Sequence, residues 1–99
     1  ALDCVYSSLV HGFPAADAAR VLHTLRALGL PIDHPKLHDL DAIFSGLEEF
    51  RQHLGGRLTL TMLEGVGRPV EVHEVDGPAM AEAIRRLGEA AAGDLCGLP

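Results

Sequence analysis

The sequence has few aromatic residues, few cysteines and little positive charge, and these shortages limit the kinds of core, partner and cysteine site that the chain can have. Its 99 residues include one tyrosine, three phenylalanines and no tryptophan, although 47% of the residues are apolar. The core must therefore be built from leucine, valine, isoleucine and alanine, which suits packed helices. A single domain of this size buries roughly 60–65% of its unfolded surface, so we expect modest stability.

Positive charge is too scarce for a protein that binds polyanions. Eight basic residues stand against fourteen acidic ones, giving a net charge of −6. This balance argues against nucleic acid or an anionic lipid surface as the main partner. The sequence also has no secretory signal, and no apolar run approaches the roughly 18–20 residues of a membrane span. We therefore expect no nucleic-acid or membrane partner and a cytoplasmic location.

The two cysteines, Cys4 and Cys96, lie near opposite ends of the chain and fit no metal-binding or redox spacing. We predict two inert thiols in a reducing cytosol. The chain also lacks an initiator methionine and opens directly on a helical pattern. We expect it to be a piece of a longer protein.

Apolar residues at helical spacing predict a first helix up to Gly12 and a second from Pro14 to Gly29. The apolar positions of the first are Leu2, Val5, Tyr6, Leu9 and Val10. Those of the second are Ala18, Val21, Leu22, Leu25 and Leu28. We expect Arg20, His23 and Arg26 to lie on the solvated face of the second helix.

Two further helices are predicted by the same spacing and by aspartates that can cap their first turns. After a connection over residues 31–38, which contains two prolines and at most one turn, a third helix begins at Asp39 or Asp41 and ends at Gly55-Gly56. Its apolar stripe is Leu40, Ile43, Phe44, Leu47, Phe50 and Leu54. The last helix runs from Asp76-Gly77-Pro78 to Gly93. Its apolar stripe is Met80, Ala83, Ile84, Leu87 and Ala91. Glu82, four residues before Arg86, predicts an ion pair on the same helix.

A β-hairpin is predicted between the third helix and the last. Leu58, Leu60 and Met62 alternate with threonines, and Val70 and Val72 alternate with polar residues. The loop covers residues 64–69, in which Gly65-x-Gly67 serves the turn and Pro69 lies at a strand start or edge. The predicted fold is mainly α with one β-hairpin (α+β) and about four helices. Residues 1–91 form the domain, and residues 92–99 a frayed tail.

No complete catalytic set can be assembled from the residues, but two groups could bind a ligand. His34 and His38 lie four residues apart beside Asp33, Asp39 and Asp41, which is a spacing for two metal ligands. Pro35 separates them and a zinc site needs more ligands, so we prefer a polar loop whose aspartates cap the next helix.

The second group is Arg51 and His53, which precede Gly55-Gly56 and are followed by Arg57. Cations at a glycine-rich helix end can recognise phosphate or carboxylate. They can equally complement the helix dipole without any ligand.

Several segments taken together resemble the C-terminal end of 3-dehydroquinate synthase-like proteins, in their divergent sugar phosphate cyclase branch. The resemblance spans about residues 1–90 and depends on the order and spacing of its pieces. These are residues 1–9, 20–22, 25–31, Gly-Leu-Glu-Glu-Phe-Arg-Gln-His-Leu-Gly-Gly-Arg-Leu at 46–58, Glu-Gly-Val-Gly at 64–67, and Val-Glu-Val at 70–72.

The resemblance implies a parent enzyme with an N-terminal NAD-binding domain and a C-terminal helical domain that carries a divalent metal, usually zinc. Such enzymes oxidise a sugar phosphate transiently, eliminate phosphate and close a carbocycle. The family's metal ligands lie before the helix with which this chain opens, so the resemblance assigns no ligand role to its histidines. It implies that the isolated chain is inactive, with the NAD-binding domain as its partner and a sugar phosphate as the parent's substrate.

The resemblance also implies a role for Arg51 and His53. The synthases have a lysine pair that contacts substrate just before the Gly-Gly pair, whereas related cyclases have Arg-x-His there. Arg51 and His53 match the cyclases and are the substrate-contact candidates. The missing lysine pair indicates a substrate other than the shikimate-pathway heptulosonate.

The alternative hypothesis is a small free-standing helical domain that docks a protein partner.

A further expectation follows if the chain is a piece of a cyclase. Leu2, Val5 and Leu9 would then have lost the upstream helices that cover them, so we expect a bare apolar face and a homodimer through the first helix.

Overall fold

A computed structural model describes residues 1–93 and contains four α-helices and one antiparallel β-hairpin. The elements are α1 (Leu2–Val10), α2 (Ala15–Ala27), a 3-10 helix (Pro35–His38), α3 (Leu40–His53), β1 (Leu60–Gly65), β2 (Arg68–Val72) and α4 (Gly77–Ala92). The predicted fold class, with the hairpin between the third and the last helix, is confirmed. Most of the predicted tail, with Cys96, lies outside the described residues. None of the helices within residues 1–93 has the length and apolar character to cross a membrane.

The helix ends form as the sequence predicts. Asp39 accepts a hydrogen bond from the Ala42 N–H at 3.1 Å, and Asp76 accepts one from the Ala79 N–H at 2.9 Å, so each caps its helix. Gly29 follows α2 with a φ of 79°, a conformation that other residues adopt only with strain. Pro14 is the N-cap of α2, so the helix begins at Ala15, one residue later than the sequence predicts.

The core lies around α1, which packs against α4, β1 and α2. Ala83 and Leu87 of α4 and Leu22 of α2 have no exposed surface, and Val5 and Tyr6 of α1 are 1% exposed. Four of the five residues of the predicted α4 stripe are buried, whereas the fifth, Ala91, is only partly buried and its neighbour Ala90 is buried in its place. Cys4 is also buried, and burial raises the pKa of its thiol, which keeps it protonated and unreactive.

The expectation of a bare face on α1 is wrong. Val5 is buried, and Leu2 and Leu9 pack against the core. The reason is that α4 and β1 lie on this face of α1. The surface through which a dimer was expected is thus covered within the chain.

Two buried polar groups fix α1 to the rest of the chain. The fully buried Ser7 hydroxyl accepts a hydrogen bond from the Leu63 N–H of β1 at 3.2 Å. The Tyr6 hydroxyl accepts one from the Asp76 N–H at 3.0 Å, at the start of α4. Because a buried N–H without a partner is costly, these bonds specify where α1 lies.

The apolar stripe of α3 is only partly covered. No residue of α3 is buried, Phe50 is 42% exposed, and Leu54, which follows the helix, is 43% exposed. Only Ile43 and Phe44 pack against the core, because the helix contacts chiefly the 3-10 helix before it. At the end of α2, Leu28 is 69% exposed and does not belong to the buried stripe that the sequence predicts.

Arg26 does more than occupy a solvated face. Its Nη1 donates hydrogen bonds to the carbonyl oxygens of Ala90 at 2.9 Å and Gly93 at 3.1 Å. These carbonyls lie at the end of α4, where the helix itself offers them no partner. Arg26 thereby joins the C-terminal ends of α2 and α4.

The loop of the hairpin is shorter than the sequence predicts. Leu60 pairs with Val72 and Met62 with Val70, so the predicted apolar residues share one face. The strands continue into the predicted six-residue loop and leave a two-residue turn, Val66-Gly67, in which Gly67 has a φ of 71°. Pro69 is the second residue of β2, near the strand start as predicted.

The predicted ion pair on α4 is part of a larger network. Glu82 Oε1 lies 2.8 Å from Arg86 Nε and 2.6 Å from Arg85 Nη2, and Arg85 also contacts Glu89. Hydrogen bonds from Arg85 and Arg86 lower the pKa of Glu82 to about 2. The Glu82 carboxylate therefore stays charged well below the pH at which glutamate is ordinarily protonated.

This network predicts a pH-dependent contribution of Glu82 to stability. A lowered folded-state pKa stabilises the fold above the unfolded value of about 4.3, and the effect is lost as the pH falls towards about 2. We expect the difference in Tm between wild type and Glu82→Gln to be largest above about pH 5 and to shrink at lower pH. Thermal unfolding followed by circular dichroism measures it.

Glu49→Gln is the matched control for this experiment. Glu49 is exposed, and no ion pair or side-chain hydrogen bond holds it among residues 1–93. The control removes the same charge without breaking the network. If the difference in Tm between wild type and Glu82→Gln stays constant from pH 6 to pH 2, the charge of Glu82 in this network does not stabilise the fold.

Candidate substrate-contact site at the end of α3

The substrate-contact candidates lie where α3 ends and the chain reverses. Gly55 and Gly56 have φ values of 84° and 104°, a conformation that glycine adopts at low cost, which explains the glycine pair. The Gly56 N–H donates to the Arg51 carbonyl oxygen at 3.0 Å. This bond closes the last turn of the helix and folds Gly56 back beside Arg51.

Arg51 is held on two sides. Its Nε and Nη2 donate to the two carboxylate oxygens of Glu48, at 2.9 Å and 2.5 Å, and its Nη1 donates to the Gly56 carbonyl oxygen at 2.6 Å. The hydrogen bond from Arg51 lowers the pKa of Glu48, which therefore remains ionised at neutral pH. The Arg51 side chain is still 39% exposed, so a ligand can reach it.

The arginine keeps part of its binding capacity. A guanidinium has five N–H groups, and Glu48 and Gly56 take three of those of Arg51. One N–H remains on Nη1 and one on Nη2, enough to bind two oxygens of a phosphate or carboxylate. Glu48 offsets the positive charge, however, so Arg51 offers directed hydrogen bonds more than net charge.

Glu48 was not among the residues that the sequence singled out. The signal was present, because residues three apart on a helix are neighbours and Glu48 precedes Arg51 by three. That spacing also fits an ordinary surface ion pair. Only the bond from Arg51 to Gly56 shows that the pair is built into the helix end.

The structure does not bring Arg51 and His53 together. His53 is the last residue of α3, and residues two apart on a helix point to different sides. Both His53 and Arg57 are exposed, and neither forms a side-chain hydrogen bond with another residue of the described range. A ligand that contacts both Arg51 and His53 must therefore span the end of the helix.

The two histidines of the other candidate group are held by different partners. His34 Nδ1 accepts a hydrogen bond from the Lys36 N–H at 3.1 Å, whereas His38 Nε2 lies 2.8 Å from Asp33 Oδ2. Within residues 1–93, no three His, Cys, Asp or Glu side chains group in a way that could hold a metal ion. Together with the capping role of Asp39, the geometry favours the polar-loop interpretation.

The Asp33–His38 pair lies against Gly88 of α4. A Cβ at Gly88 of α4 would lie 2.8 Å from His38 Cε1, so only glycine leaves room for the ring in this position. This accounts for a glycine in the middle of a helix, where it is otherwise unfavourable. No spacing in the sequence predicts the contact, because it joins distant parts of the chain.

A cleft of about 360 Å³, lined by apolar and polar side chains, lies between the end of α1 and the link from β2 to α4. Its walls include Tyr6, His11 and His73. His11 Nε2 is buried without a hydrogen-bond partner among residues 1–93, whereas His73 Nδ1 donates to the Leu58 carbonyl oxygen at 2.8 Å.

Comparison with known proteins finds a distant similarity to a curated enzyme. The chain is 30% identical over 81 residues to the 3-dehydroquinate synthase of Rhodopseudomonas palustris (strain BisA53), a match that covers 74% of this chain and 21% of the synthase. No family model and no solved structure matches the chain. The chain thus shows low-level similarity to a 3-dehydroquinate synthase, over about a fifth of that enzyme's length.

Proposed function

We propose that residues 1–91 are a C-terminal helical domain fragment of a 3-dehydroquinate synthase-like sugar phosphate cyclase. The observation that carries this proposal is the 30% identity to a 3-dehydroquinate synthase over most of the chain. The order of the helix, Gly-Gly and hairpin segments agrees with it. In this proposal the complete parent enzyme eliminates phosphate from a sugar phosphate and closes a carbocycle, and the fragment alone is inactive.

The geometry of Arg51 supports a role in substrate binding. It is partly exposed, it is fixed at a helix end, and it has two unused N–H groups suited to an oxyanion. In the proposal Arg51 binds the phosphate or carboxylate of the substrate, and His53 makes a further polar contact from the other side of the helix end.

The cofactors of the proposed parent are NAD and a divalent metal, with zinc the metal of the family. His34 and His38 do not fit a metal site, because they are directed to separate partners. Both cofactors would be bound by parts of the parent outside this chain. The half-exposed apolar stripe of α3 offers a surface against which other parts of the parent, including the nucleotide-binding domain, can pack.

The proposal is tested with the gene and its full-length product. Several hundred codons upstream, with a glycine-rich nucleotide loop and a His-Gly-Glu motif, are expected. The full-length protein should release phosphate from a sugar phosphate only when both NAD and a divalent metal are supplied. A start codon directly before Ala1 would instead favour a free-standing interaction domain.

The isolated 99-residue chain should bind neither NAD nor zinc tightly. Scattered histidines do not form a preorganised site, and no nucleotide-binding domain is expected in this segment. Isothermal titration calorimetry measures both affinities. Stoichiometric zinc binding at or below roughly micromolar that is lost in His34→Ala or His38→Ala would reinstate the local metal site.

A further inference from the structure

We propose that Glu48 is a positioning residue, which holds the Arg51 guanidinium so that its remaining N–H groups bind an anionic group of the substrate. The inference deepens the proposed function and rests on it, because that function gives Arg51 a ligand. Glu48 itself does not touch the ligand. It acts through Arg51.

The first support is that the guanidinium is held along two directions at once. Glu48 occupies the Nε edge with two hydrogen bonds, and the Gly56 carbonyl binds Nη1. Two contacts in one plane from different sides fix both the position and the rotation of a planar group. The Gln52 amide lies 3.4 Å from Glu48 Oε1 and offers the carboxylate a further weak contact.

The second support is that Arg51 and Gly56 bind each other twice. The Arg51 side chain donates to the Gly56 carbonyl at 2.6 Å, and the Gly56 N–H donates to the Arg51 carbonyl at 3.0 Å. The orientation of the guanidinium is thereby coupled to the backbone of the helix end. An ion pair confined to the helix surface would lack this coupling.

An arginine that is already fixed binds a ligand at lower entropic cost. A long side chain loses rotamer freedom when it is immobilised, which weakens binding unless the loss has occurred beforehand. Glu48 also has an opposing effect, since its negative charge repels an anion. The two effects differ in sign, so an experiment can separate them.

Glu49 provides the matched control. It is exposed like Glu48 and adjacent to it, but no residue of the described range is hydrogen-bonded to its side chain. Glu48→Gln and Glu49→Gln therefore remove the same charge from nearly the same place. Only Glu48→Gln weakens the hydrogen bonds that hold Arg51.

The experiment titrates the 99-residue chain with inorganic phosphate and follows the arginine Nε–H signals by ¹⁵N NMR. We expect millimolar phosphate to shift the Arg51 signal in wild type and in Glu49→Gln. We expect Glu48→Gln to bind phosphate roughly two- to tenfold more weakly than Glu49→Gln, the factor that corresponds to immobilising one long side chain. The Arg51 Nε–H should also exchange with water faster in Glu48→Gln than in the control.

The outcomes distinguish failure of the inference from failure of the proposed function. Equal or tighter phosphate binding by Glu48→Gln relative to Glu49→Gln would show that Glu48 only neutralises Arg51, and would overturn the positioning role. The same holds if Arg51 exchanges equally fast in both variants. Absence of any phosphate response in all three proteins would contradict Arg51 as an anion-binding residue, and the inference would fall with it. Repeating the titration above about 0.1 M salt screens long-range charge and should preserve the difference between the two variants.

Discussion

Arg51→Ala is expected to lower kcat/KM of the proposed full-length parent enzyme by roughly 30- to 1,000-fold, the loss that follows truncation of a desolvated ionic contact. In the proposed parent, bound substrate would exclude water around Arg51. The substitution removes two directed N–H groups, so the anionic group of the substrate loses both hydrogen bonds. Steady-state turnover of the purified parent measures the effect.

Two comparisons separate binding from folding. His53→Ala should lower kcat/KM less, because a neutral imidazole gives one hydrogen bond where arginine can give two. In the 99-residue chain, Arg51→Ala should lower Tm by only a few degrees, since Arg51 and Glu48 are solvent-accessible and exposed pairs contribute little.

Either of two results would contradict this prediction. If Arg51→Ala unfolds the 99-residue chain, the bonds to Glu48 and Gly56 make Arg51 a structural residue. If an active parent turns over unchanged after the substitution, the substrate-contact role at this position is wrong.

Leu87→Ala is expected to lower the free energy of unfolding by about 2–5 kcal/mol, the usual range for truncating a fully buried leucine. Leu87 has no exposed surface and lies in the main core cluster, so the substitution leaves a cavity that the surrounding helices can fill only in part. Domains of this size have only about 5–15 kcal/mol of stability in total. The Tm should therefore fall by at least about 10 °C.

Leu28→Ala is the matched control, because it makes the same chemical change at a position that is 69% exposed. Its effect should be under about 0.5 kcal/mol. Urea unfolding of the three proteins, followed by circular dichroism, gives the comparison. Large losses for both variants would mean that Leu28 is covered as the sequence predicts, whereas small losses for both would mean that Leu87 does not lie in the core.

Much of the fold follows from local signals in the sequence. The four helices and their ends are specified by apolar spacing together with caps such as Asp39, Asp76 and Gly29, because these features act within a few residues of one another. The hairpin follows from alternating apolar residues on either side of a glycine-containing turn. Arg51 and His53 could likewise be selected from sequence, since both lie directly before the Gly-Gly pair.

The sequence by itself determined the elements, their order and the fold class, whereas the tertiary structure decided which surfaces those elements cover. An apolar stripe shows that a helix has a face to bury, but its partner depends on packing between distant parts of the chain. For that reason α1, expected to be bare, is covered by α4 and β1, while much of the α3 stripe is left open. The same physical reason applies to the site: only the reversal of the chain at Gly56 turns a pair of neighbouring charges, Glu48 and Arg51, into a guanidinium held from two sides.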